Sequence, residues 1–582
     1  MGEEKKSKFS RRTFTACLAG MGLGATALPK LLWAKVQQQG GTQVTAEMVK
    51  EAEKLAGLTF TDEERGRMAR SLSGNVNQYR QLREFDYDPN LAPAVQFNPA
   101  LPSEKFPDKV KKFRPSKAKA KRHPPANLEE LAFWPVTELA PLLRERKVKS
   151  VDLTKMYLAR LKKYDGKLLC VVNLTEELAL KQAKRADDEI AKGKYRGPLH
   201  GIPWGAKDLL AAKGYPTTWG SEPHKDQVFD YDATCVERLE EAGAVLVAKL
   251  TLGALAMGDG WFGGRTRNPW NTEQGSSGSS AGPASATVAG CVGFSIGSET
   301  LGSIVSPCSR CGATGLRPSF GRISRHGAMP LSWSMDKLGP ICRTVEDCAL
   351  VFDAVCGPDG KDQTIVDLPF NWNMEKPLSK LTIGYVKPPP PRESQSGGGE
   401  RGAARGGRGG QQRTSAGDSQ EAVLDIFRKL GCKLVEIELP TVSLNGTRII
   451  LNVESAASFD EFTRGERDNL LTGSSWPNSF RTARMVPAVE YIQANRVRMA
   501  AMQQMSAMME EIDLYLSNGR DLQLTNLTGH PCCVLPSGFR ENGTPTSINF
   551  IGKLFREDDL MLAAKAYQDA TGHHLKHPVI EL

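Results

Sequence analysis

Amphipathic helical patterns alternate with short apolar segments from Leu128 to the end of this 582-residue chain. Residues 150–165 carry apolar side chains at helical spacing, whereas residues 244–250 (AVLVAKL) and 381–386 (LTIGYV) have the length and composition of buried strands. Such alternation is typical of α/β domains, in which helices cover a largely buried sheet. The sequence therefore predicts an α/β main domain over residues 128–582.

The first 34 residues have the layout of an export signal. A charged segment containing Arg11 and Arg12 is followed by an apolar, Gly- and Ala-rich run over residues 13–28. The sequence SRRTF resembles the twin-arginine signal of proteins that are exported in the folded state. We expect a periplasmic or otherwise extracytoplasmic protein with no stable membrane span once the leader is removed. If the segment is only a basic N-terminus, the protein is cytoplasmic.

Residues 44–83 predict a small helical hairpin ahead of the main domain. Apolar residues recur there at three- and four-residue steps, and Thr61 with Glu64 forms a capping box at the start of the second helix. Residues 84–127 are rich in proline and basic residues, which predicts an extended linker. Residues 388–417 contain too few apolar residues to offset the entropy cost of ordering, so we predict a disordered surface insertion.

Much of the formal net charge of +10 lies in two tracts, residues 109–125 and 400–413. Neither tract has the interleaved aromatic residues that stack on nucleic-acid bases. Solvated linkers therefore explain the charge better than a nucleic-acid or membrane partner does.

Twelve cysteines in a chain of this size do not form a dense disulfide framework. Cys308 and Cys311 form an isolated C-x-x-C pair, but no second pair follows at a spacing that would hold zinc. The eight histidines are scattered, apart from His573 and His574. We expect no metal and no other cofactor.

Three segments rich in small residues occur in a fixed order. They are residues 201–221 with the sequence GAKD, residues 274–290 (QGSSGSSAGPASATVAG) and residues 297–307 (GSETLGSIVSP). Taken alone, the serine-rich segment also fits a flexible linker. Together the three resemble the amidase signature family, whose members hydrolyse or transfer carboxamides with a Ser, cis-Ser, Lys triad. The resemblance covers about residues 128–578 and implies a mixed central sheet covered by helices.

The resemblance assigns roles to individual residues. It implies that Ser303 is the nucleophile, that Lys207 is the base, and that Ser279 relays the proton between them, with Ser280 beside it in support. A serine hydroxyl needs a base to take its proton, and a lysine can serve only if it is neutral, which requires burial. The apolar neighbours of Lys207 in the sequence fit that requirement.

The resemblance also implies an oxyanion hole made by the backbone N–H groups of Thr300, Leu301, Gly302 and Ser303. The sequence departs from the common pattern here, with Glu299 for the usual aspartate and Leu301 for the first glycine. A backbone donor does not depend on its side chain, so we expect the hole to survive and Leu301 to narrow the approach of the substrate.

Two activities remain open. The first is an exported serine amidase that cleaves a small-molecule carboxamide to an acid and ammonia or an amine. The second is the A subunit of a glutamyl-tRNA or aspartyl-tRNA amidotransferase, which uses the same triad to release ammonia from glutamine. Residues 44–127 favour the second, because they resemble the small C subunit of these enzymes. A plain helical hairpin that packs on the main domain explains the same pattern. The leader favours the first, as do residues 454–460 (ESAASFD), which lack the arginine that holds the glutamine carboxylate.

A third hypothesis is a non-catalytic binding protein of the same fold, which only the substitution of Leu301 favours.

The resemblance implies that residues 442–523 build the substrate pocket. These residues contain a stripe of methionine and aromatic side chains that predicts either core packing or an apolar substrate wall. The stripe consists of Met485, Tyr491, Met499 and Met502. We expect a small amide as the substrate and no nucleic-acid partner if the protein is exported, and a homodimer remains open.

Overall fold

The computed structural model describes residues 43–83, 90, 95–101, 106, 113–116, 123–386, 420–471 and 474–581. The predicted leader and the predicted insertion at residues 388–417 lie outside these residues. The chain divides into two compact units, Met1–Asp88 and Pro89–Leu582.

The α-helices of the described residues are α1 (Ala46–Ala56), α2 (Asp62–Arg83), α3 (Val136–Arg144), α4 (Ser150–Leu168), α5 (Glu176–Ala191), α6 (Thr234–Glu241), α7 (Ala281–Val288), α8 (Val305–Cys311), α9 (Val345–Val355), α10 (Gln420–Lys429), α11 (Arg448–Ser458), α12 (Asp460–Arg464), α13 (Trp476–Ala483), α14 (Ala488–Glu510), α15 (Leu522–Leu527) and α16 (Glu557–Thr571). Short 3-10 turns are found at Leu128–Phe133, Glu222–His224, Ala254–Ala256, Leu378–Lys380, Arg467–Leu470 and His573–Leu575.

The strands are β1 (Val171–Leu174), β2 (Pro203–Lys207), β3 (Val245–Leu250), β4 (Gly260–Trp261), β5 (Gly264–Arg265), β6 (Arg267–Asn268), β7 (Asn271–Gly275), β8 (Phe294–Glu299), β9 (Thr314–Arg317), β10 (Lys337–Cys342), β11 (Thr382–Val386), β12 (Lys433–Ile437), β13 (Leu514–Ser517), β14 (Cys532–Phe539) and β15 (Pro545–Gly552).

In the first unit, α1 and α2 lie where the sequence predicts a hairpin. The capping box forms as predicted, since the N–H of Thr61 donates to Glu64 Oε2 at 2.7 Å and the N–H of Glu64 donates to Thr61 Oγ1 at 3.3 Å. Gly57 ends α1 with a φ of 67°, a left-handed conformation that glycine adopts without steric cost. Arg65 of α2 pairs with Glu53 of α1 at 2.6 Å.

In the second unit, eleven strands of the described residues form one sheet in the order β1-β3-β2-β8-β10-β9-β14-β15-β13-β11-β12. The pairs β2/β3, β2/β8, β11/β12 and β11/β13 are parallel, and the other neighbours are antiparallel. The predicted α/β fold with a mixed central sheet is therefore confirmed.

The centre of the sheet sets the position of the site. Every residue of β2, β3 and β8 is buried, as expected for strands covered on both faces. Because β2 lies between β3 and β8 and is parallel to both, the carboxyl ends of the three strands meet at one edge, which holds Lys207 and Glu299. Among the helices of the described residues, none combines the length and apolarity that a membrane crossing requires.

Described residues of the segment 84–127 pack on the second unit. The ring of Phe97 meets that of Phe320 edge to face, with centroids 5.1 Å apart. The N–H of Arg114 donates to the carbonyl of Trp372 at 2.7 Å, and the carbonyl of Arg114 accepts from Met374 at 3.1 Å. The segment from Pro89 onward thus belongs to the same compact unit as the main domain.

Candidate active site

Lys207 is the last residue of β2, and its side chain is fully buried among hydroxyl groups. Its Nζ lies 2.8 Å from Ser279 Oγ, 3.1 Å from Ser280 Oγ and 2.8 Å from Ser298 Oγ. Burial lowers the pKa of Lys207 well below its ordinary value of 10.5, although the negative charges of Asp336 and Glu299 oppose the shift. The shift favours the neutral form that a base requires.

The serine-rich stretch is part of the interior, so the linker interpretation of it is wrong. Residues 279–290 are all buried, and α7 begins directly after Ser280. The peptide bond between Gly278 and Ser279 is cis. Gly278 has no room for a side chain, since a Cβ there would lie 1.8 Å from the carbonyl oxygen of Gly258.

Ser280 ties three segments of the site together. Its Oγ accepts from the N–H of Ser298 at 3.1 Å and donates to the carbonyl of the same residue at 3.0 Å. Its N–H donates to the carbonyl of Ser303 at 3.0 Å. The start of α7, the end of β8 and the turn before α8 are thereby held in register.

Ser303 lies in the turn before α8 and is half-buried. The structure brings Lys207, Ser279 and Ser280 into direct contact and brings the backbone of Ser303 to Ser280. Among the described residues, no hydrogen bond joins the hydroxyl of Ser303 to Ser279.

The turn from Thr300 to Ser303 keeps donors available. Within the described part of the chain, the N–H groups of Leu301, Gly302 and Ser303 donate to no protein acceptor. Gly302 has a φ of 88°, a conformation that disfavours any residue with a side chain. The half-buried side chain of Leu301 packs against the main hydrophobic core, and the turn retains its open N–H groups.

Glu299 holds the far end of this turn. Its Oε2 accepts from the N–H groups of Ile304 and Val305 at 2.8 and 2.9 Å, directly after Ser303. Its Oε1 accepts from Arg317 at 2.7 Å and from Asn526 at 2.8 Å. The sequence showed Glu299 only as a departure from the family pattern, because its role depends on residues far along the chain.

The charge of Glu299 is stabilised inside the protein. Both Glu299 and Arg317 are fully buried. Burial favours the neutral acid, but the charge and hydrogen bond of Arg317 and the N–H of Val305 outweigh it and lower the pKa of Glu299 to about 2. The carboxylate is consequently ionised at every pH at which the protein would operate.

Ser298 is a site residue that sequence reasoning missed. Its hydroxyl contacts Lys207 as closely as that of Ser279 does. Ser298 lies at the end of β8, next to the end of β2, and the pairing of these strands gives the contact. Ser298 is two residues before the predicted turn, which could have drawn attention to it. Its contact with Lys207 was not predictable, because the sequence does not show that β8 pairs with β2.

A cavity of about 260 Å³ adjoins the turn. Ser298, Thr300 and Asp336 line it, together with Asn90 and Gln96. The predicted linker thus supplies residues next to the candidate site.

The segment that lacks the expected arginine carries a buried acid instead. Glu454 of α11 accepts from the hydroxyls of Ser332, Ser334 and Tyr491 at 2.6, 2.7 and 2.8 Å. Arg498 of α14 donates to Ser334 Oγ at 2.9 Å. These groups form an internal polar network.

The predicted methionine and aromatic stripe does not form a single surface. Met502 is buried, whereas Met485 and Met499 are 67% and 45% exposed. Tyr491 is half-buried and donates to Glu454. The stripe is therefore neither a continuous part of the core nor a continuous substrate wall.

Cys308 and Cys311 lie in α8 as buried free thiols. Among the described residues, no group of three or more histidine, cysteine or acidic side chains is arranged to hold a metal ion.

Comparison with known proteins finds relatives that cover most of the chain. The amidase family model matches residues 152–397. The A subunit of glutamyl-tRNA(Gln) amidotransferase from Methylococcus capsulatus is 32% identical over 496 residues, which cover 76% of this chain and 98% of the relative.

Solved structures of an amidase and of an amidotransferase A subunit are also similar to this chain. The native peptide amidase of Stenotrophomonas maltophilia is 27% identical with a TM-score of 0.67, over 78% of this chain and 100% of the amidase. The A subunit of glutamyl-tRNA(Gln) amidotransferase from Thermotoga maritima has a TM-score of 0.58 over 75% of this chain and 95% of that one, at 23% identity, which shows a shared fold alone.

Proposed function

This chain belongs to the amidase family, and from that premise we propose that it is a serine amidase that cleaves a small-molecule carboxamide to an acid and ammonia or an amine. The observation that carries the proposal is the buried amine of Lys207, 2.8 Å from the hydroxyl of Ser279. The backbone contact between Ser280 and Ser303 brings the proposed nucleophile to the same place.

The hydrogen bonds around Lys207 suit a neutral amine. A neutral amine has two N–H donors and one lone pair, and three hydroxyl oxygens surround Nζ. The hydrogen of Ser280 is already donated to the carbonyl of Ser298, so Ser280 can only accept from Lys207. With the second N–H on Ser298 Oγ, the lone pair is left for the proton of Ser279.

Acylation then follows from this arrangement. Ser279 passes its proton to Lys207 and takes the proton of Ser303, whose Oγ forms a bond to the carbonyl carbon of the amide. The open N–H groups of the turn stabilise the negative oxygen of the tetrahedral intermediate. The carbon–nitrogen bond breaks, the departing nitrogen takes the proton by the reverse route, and Ser303 holds the acyl group as an ester.

Deacylation uses the same groups. Water adds to the ester carbonyl while its proton passes through Ser279 to Lys207. The carbon–oxygen bond to Ser303 breaks, the serine regains a proton, and the acid leaves.

A second candidate is the glutamine amidase of an amidotransferase, which the names of the relatives support. Residues 454–460 carry Glu454 and no arginine to hold a glutamine carboxylate. The absence of that arginine from the segment is the observation that favours the first candidate.

Ammonia release by the purified chain tests the proposal. A panel of aliphatic, aromatic and peptide carboxamides is assayed beside glutamine, with Ser303→Ala and Lys207→Ala as controls. Release from one of the amides, lost in both variants, is the expected result. Release from glutamine alone would favour the amidotransferase candidate, and no release from any amide by folded protein would count against both.

We also propose export through the leader, for which Arg11 and Arg12 provide the support. Residues 1–34 fused to a folded reporter should deliver it across the cytoplasmic membrane of a bacterium with a twin-arginine pathway. Replacement of both arginines by lysine should retain the reporter inside. Equal delivery by the two fusions would contradict the proposal.

A further inference from the structure

Thr300, at the start of the turn, is held by the carboxylate of Asp336. The hydroxyl of Thr300 donates to Asp336 Oδ1 at 2.6 Å, and Thr300 is only 7% exposed. Asp336 immediately precedes β10, which lies beside β8 in the sheet. A hydroxyl bond to an ionised carboxylate is among the stronger hydrogen bonds in proteins.

Asp336 is itself fixed in place. Its Oδ2 accepts from the N–H groups of Leu331 and Ser332 at 2.8 and 2.9 Å. The carboxylate therefore has three donors from two segments, and it cannot rotate without losing at least one of them. Asp336 and Thr300 both line the 260 Å³ cavity.

The turn is consequently held by a carboxylate at each end. Glu299 accepts from the N–H groups that follow Ser303, and Asp336 accepts from the hydroxyl that precedes Leu301. The antiparallel register of β8 and β10 places Lys337 opposite Glu299, so the two carboxylates approach the turn from adjacent strands.

We propose that Asp336 is a positioning residue, which acts through the hydroxyl of Thr300 to orient the backbone N–H groups of the turn toward the oxyanion. The inference rests on the proposed function, because it assumes that Ser303 is the nucleophile. An oxyanion donor contributes only if it points to the place where charge develops, so a turn released at Thr300 loses part of its effect on the transition state. Neither Asp336 nor the side chain of Thr300 needs to touch the substrate for this role.

The test measures how fast a fluorophosphonate inactivates the purified chain. In that reaction the Oγ of Ser303 forms a bond to phosphorus, the P–F bond breaks, fluoride leaves, and the serine proton passes to the base. The phosphoryl oxygen occupies the oxyanion site in the transition state. The maximal rate, kinact, therefore reports on the turn, and the half-saturating concentration, KI, reports on binding.

Thr300→Val and Asp336→Asn should each lower kinact by about 10-fold to 100-fold, since loss of one whole donor costs about 100-fold to 1,000-fold. KI should change by less than about threefold. Thr300→Ser keeps the hydroxyl and should retain most of the rate. All rates are compared at a pH where they no longer rise with pH, because Asp336→Asn also removes a negative charge that acts on the pKa of Lys207. Under that condition the double variant should be about as slow as the slower single one, because both changes remove the hydrogen bond between Thr300 and Asp336.

Thr314→Val is the matched control, since it deletes a buried threonine hydroxyl that lies beside Cys342, at the end of β10 remote from Asp336. If Asp336→Asn does not fold, the inference is tested by comparing kinact in Thr300→Val, which lacks the hydroxyl, with kinact in Thr300→Ser, which keeps it. Wild-type kinact in Thr300→Val, losses that multiply in the double variant, or equal losses in Thr314→Val would each overturn the inference. If the wild-type chain itself is not labelled at Ser303, the proposed function fails instead.

Discussion

At the scale of single residues, the central feature is a buried lysine, which we propose to be the base. Lys207 is fully buried, and the nearest atoms to its amine are hydroxyl oxygens, not carboxylates. A carboxylate in direct contact would have stabilised the charged form and removed the lone pair. The negative charges of Asp336 and Glu299 act on Lys207 from a greater distance and only reduce the shift.

This environment predicts the pH dependence of labelling by the fluorophosphonate. The reactive form is neutral Lys207, so kinact should rise with pH and level off above the pKa of the lysine. Because burial lowers that pKa well below 10.5, the midpoint of the rise should lie well below 10.5. A rate that is still rising above pH 10.5 would contradict the account, and Lys207→Ala should show no such rise.

Glu299 provides a second prediction at this scale. Glu299→Ala leaves the fully buried guanidinium of Arg317 without its carboxylate, which should lower the free energy of unfolding by about 3–5 kcal/mol. Denaturant unfolding followed by fluorescence measures this change. Labelling of Ser303 should also slow, because the N–H groups of Ile304 and Val305 lose their acceptor.

The combination of Glu299→Ala with Arg317→Met separates the two effects. Removing both charges should restore much of the stability. Labelling should stay slow, because the N–H groups of Ile304 and Val305 still lack the carboxylate of Glu299. Recovery of the labelling rate together with stability would show that Glu299 acts only through the ion pair.

The sequence identified Lys207, Ser279, Ser280 and Ser303 as candidates because each lies in a recognisable local motif. It could not assign Ser298, Asp336 or the role of Glu299. Ser298 and Asp336 lie near their partners because β8 pairs with β2 and β10, and Glu299 meets Arg317 of β9 and Asn526 of α15. Local motifs are visible in a sequence, whereas contacts between strands are not.

At the scale of secondary-structure elements, the site is built where helices begin and strands end. Ser279 and Ser280 precede α7, Ser303 precedes α8, and Lys207 ends β2. The small residues of the serine-rich stretch allow α7 to lie against its neighbours. A Cβ on Gly282, for example, would lie 2.4 Å from the backbone nitrogen of Thr251.

Gly278→Ala tests the packing before α7. The added Cβ would lie 1.8 Å from the carbonyl oxygen of Gly258, so the backbone that carries Ser279 must shift. We expect kinact to fall by at least about 10-fold, because small displacements of catalytic groups are costly. Gly166→Ala is the matched control, since this position in α4 has open space and alanine favours a helix by about 1 kcal/mol. Equal labelling rates in the two variants would contradict the account.

The strands over residues 244–250 and 381–386 were predictable because their apolar runs have the length of buried strands. The order of the strands was not, since it depends on connections that join distant segments. The packing of Phe97 and Arg114 on the second unit was also hidden, because a stretch rich in proline and basic residues has no periodic pattern that reveals what it covers.

At the scale of the whole molecule, the network around the site extends into the core. Arg317 joins Glu299 to the carbonyl of His530, and the ring of His530 contacts Thr528 Oγ1 at 2.8 Å. His530 is 3% exposed, and burial followed by the charge of Arg317 lowers its pKa to about 3. The turn from Thr300 to Ser303 is thus connected to the core of the second unit through the ion pair of Glu299 and Arg317.

His530 predicts how stability depends on pH. The histidine stays neutral in the folded state down to about pH 3 but takes a proton near pH 6.5 when unfolded, so stability should fall as the pH falls below 6.5. Because His530 takes up a proton on unfolding, the free energy of unfolding should fall by about 2 kcal/mol between pH 6.5 and pH 5 on its account. His530→Gln, which does not titrate, should lose correspondingly less stability over that range in denaturant unfolding. The same acid loss in both proteins would contradict the assignment.

The position of the covalent adduct tests the central claim most directly. The purified chain is treated with a fluorophosphonate, digested, and the modified peptide is located by mass spectrometry, beside Ser303→Ala and Lys207→Ala. The account predicts one adduct on Ser303, none in Ser303→Ala, and much slower labelling in Lys207→Ala. An adduct on another residue, or labelling of Ser303 that does not depend on Lys207, would contradict it.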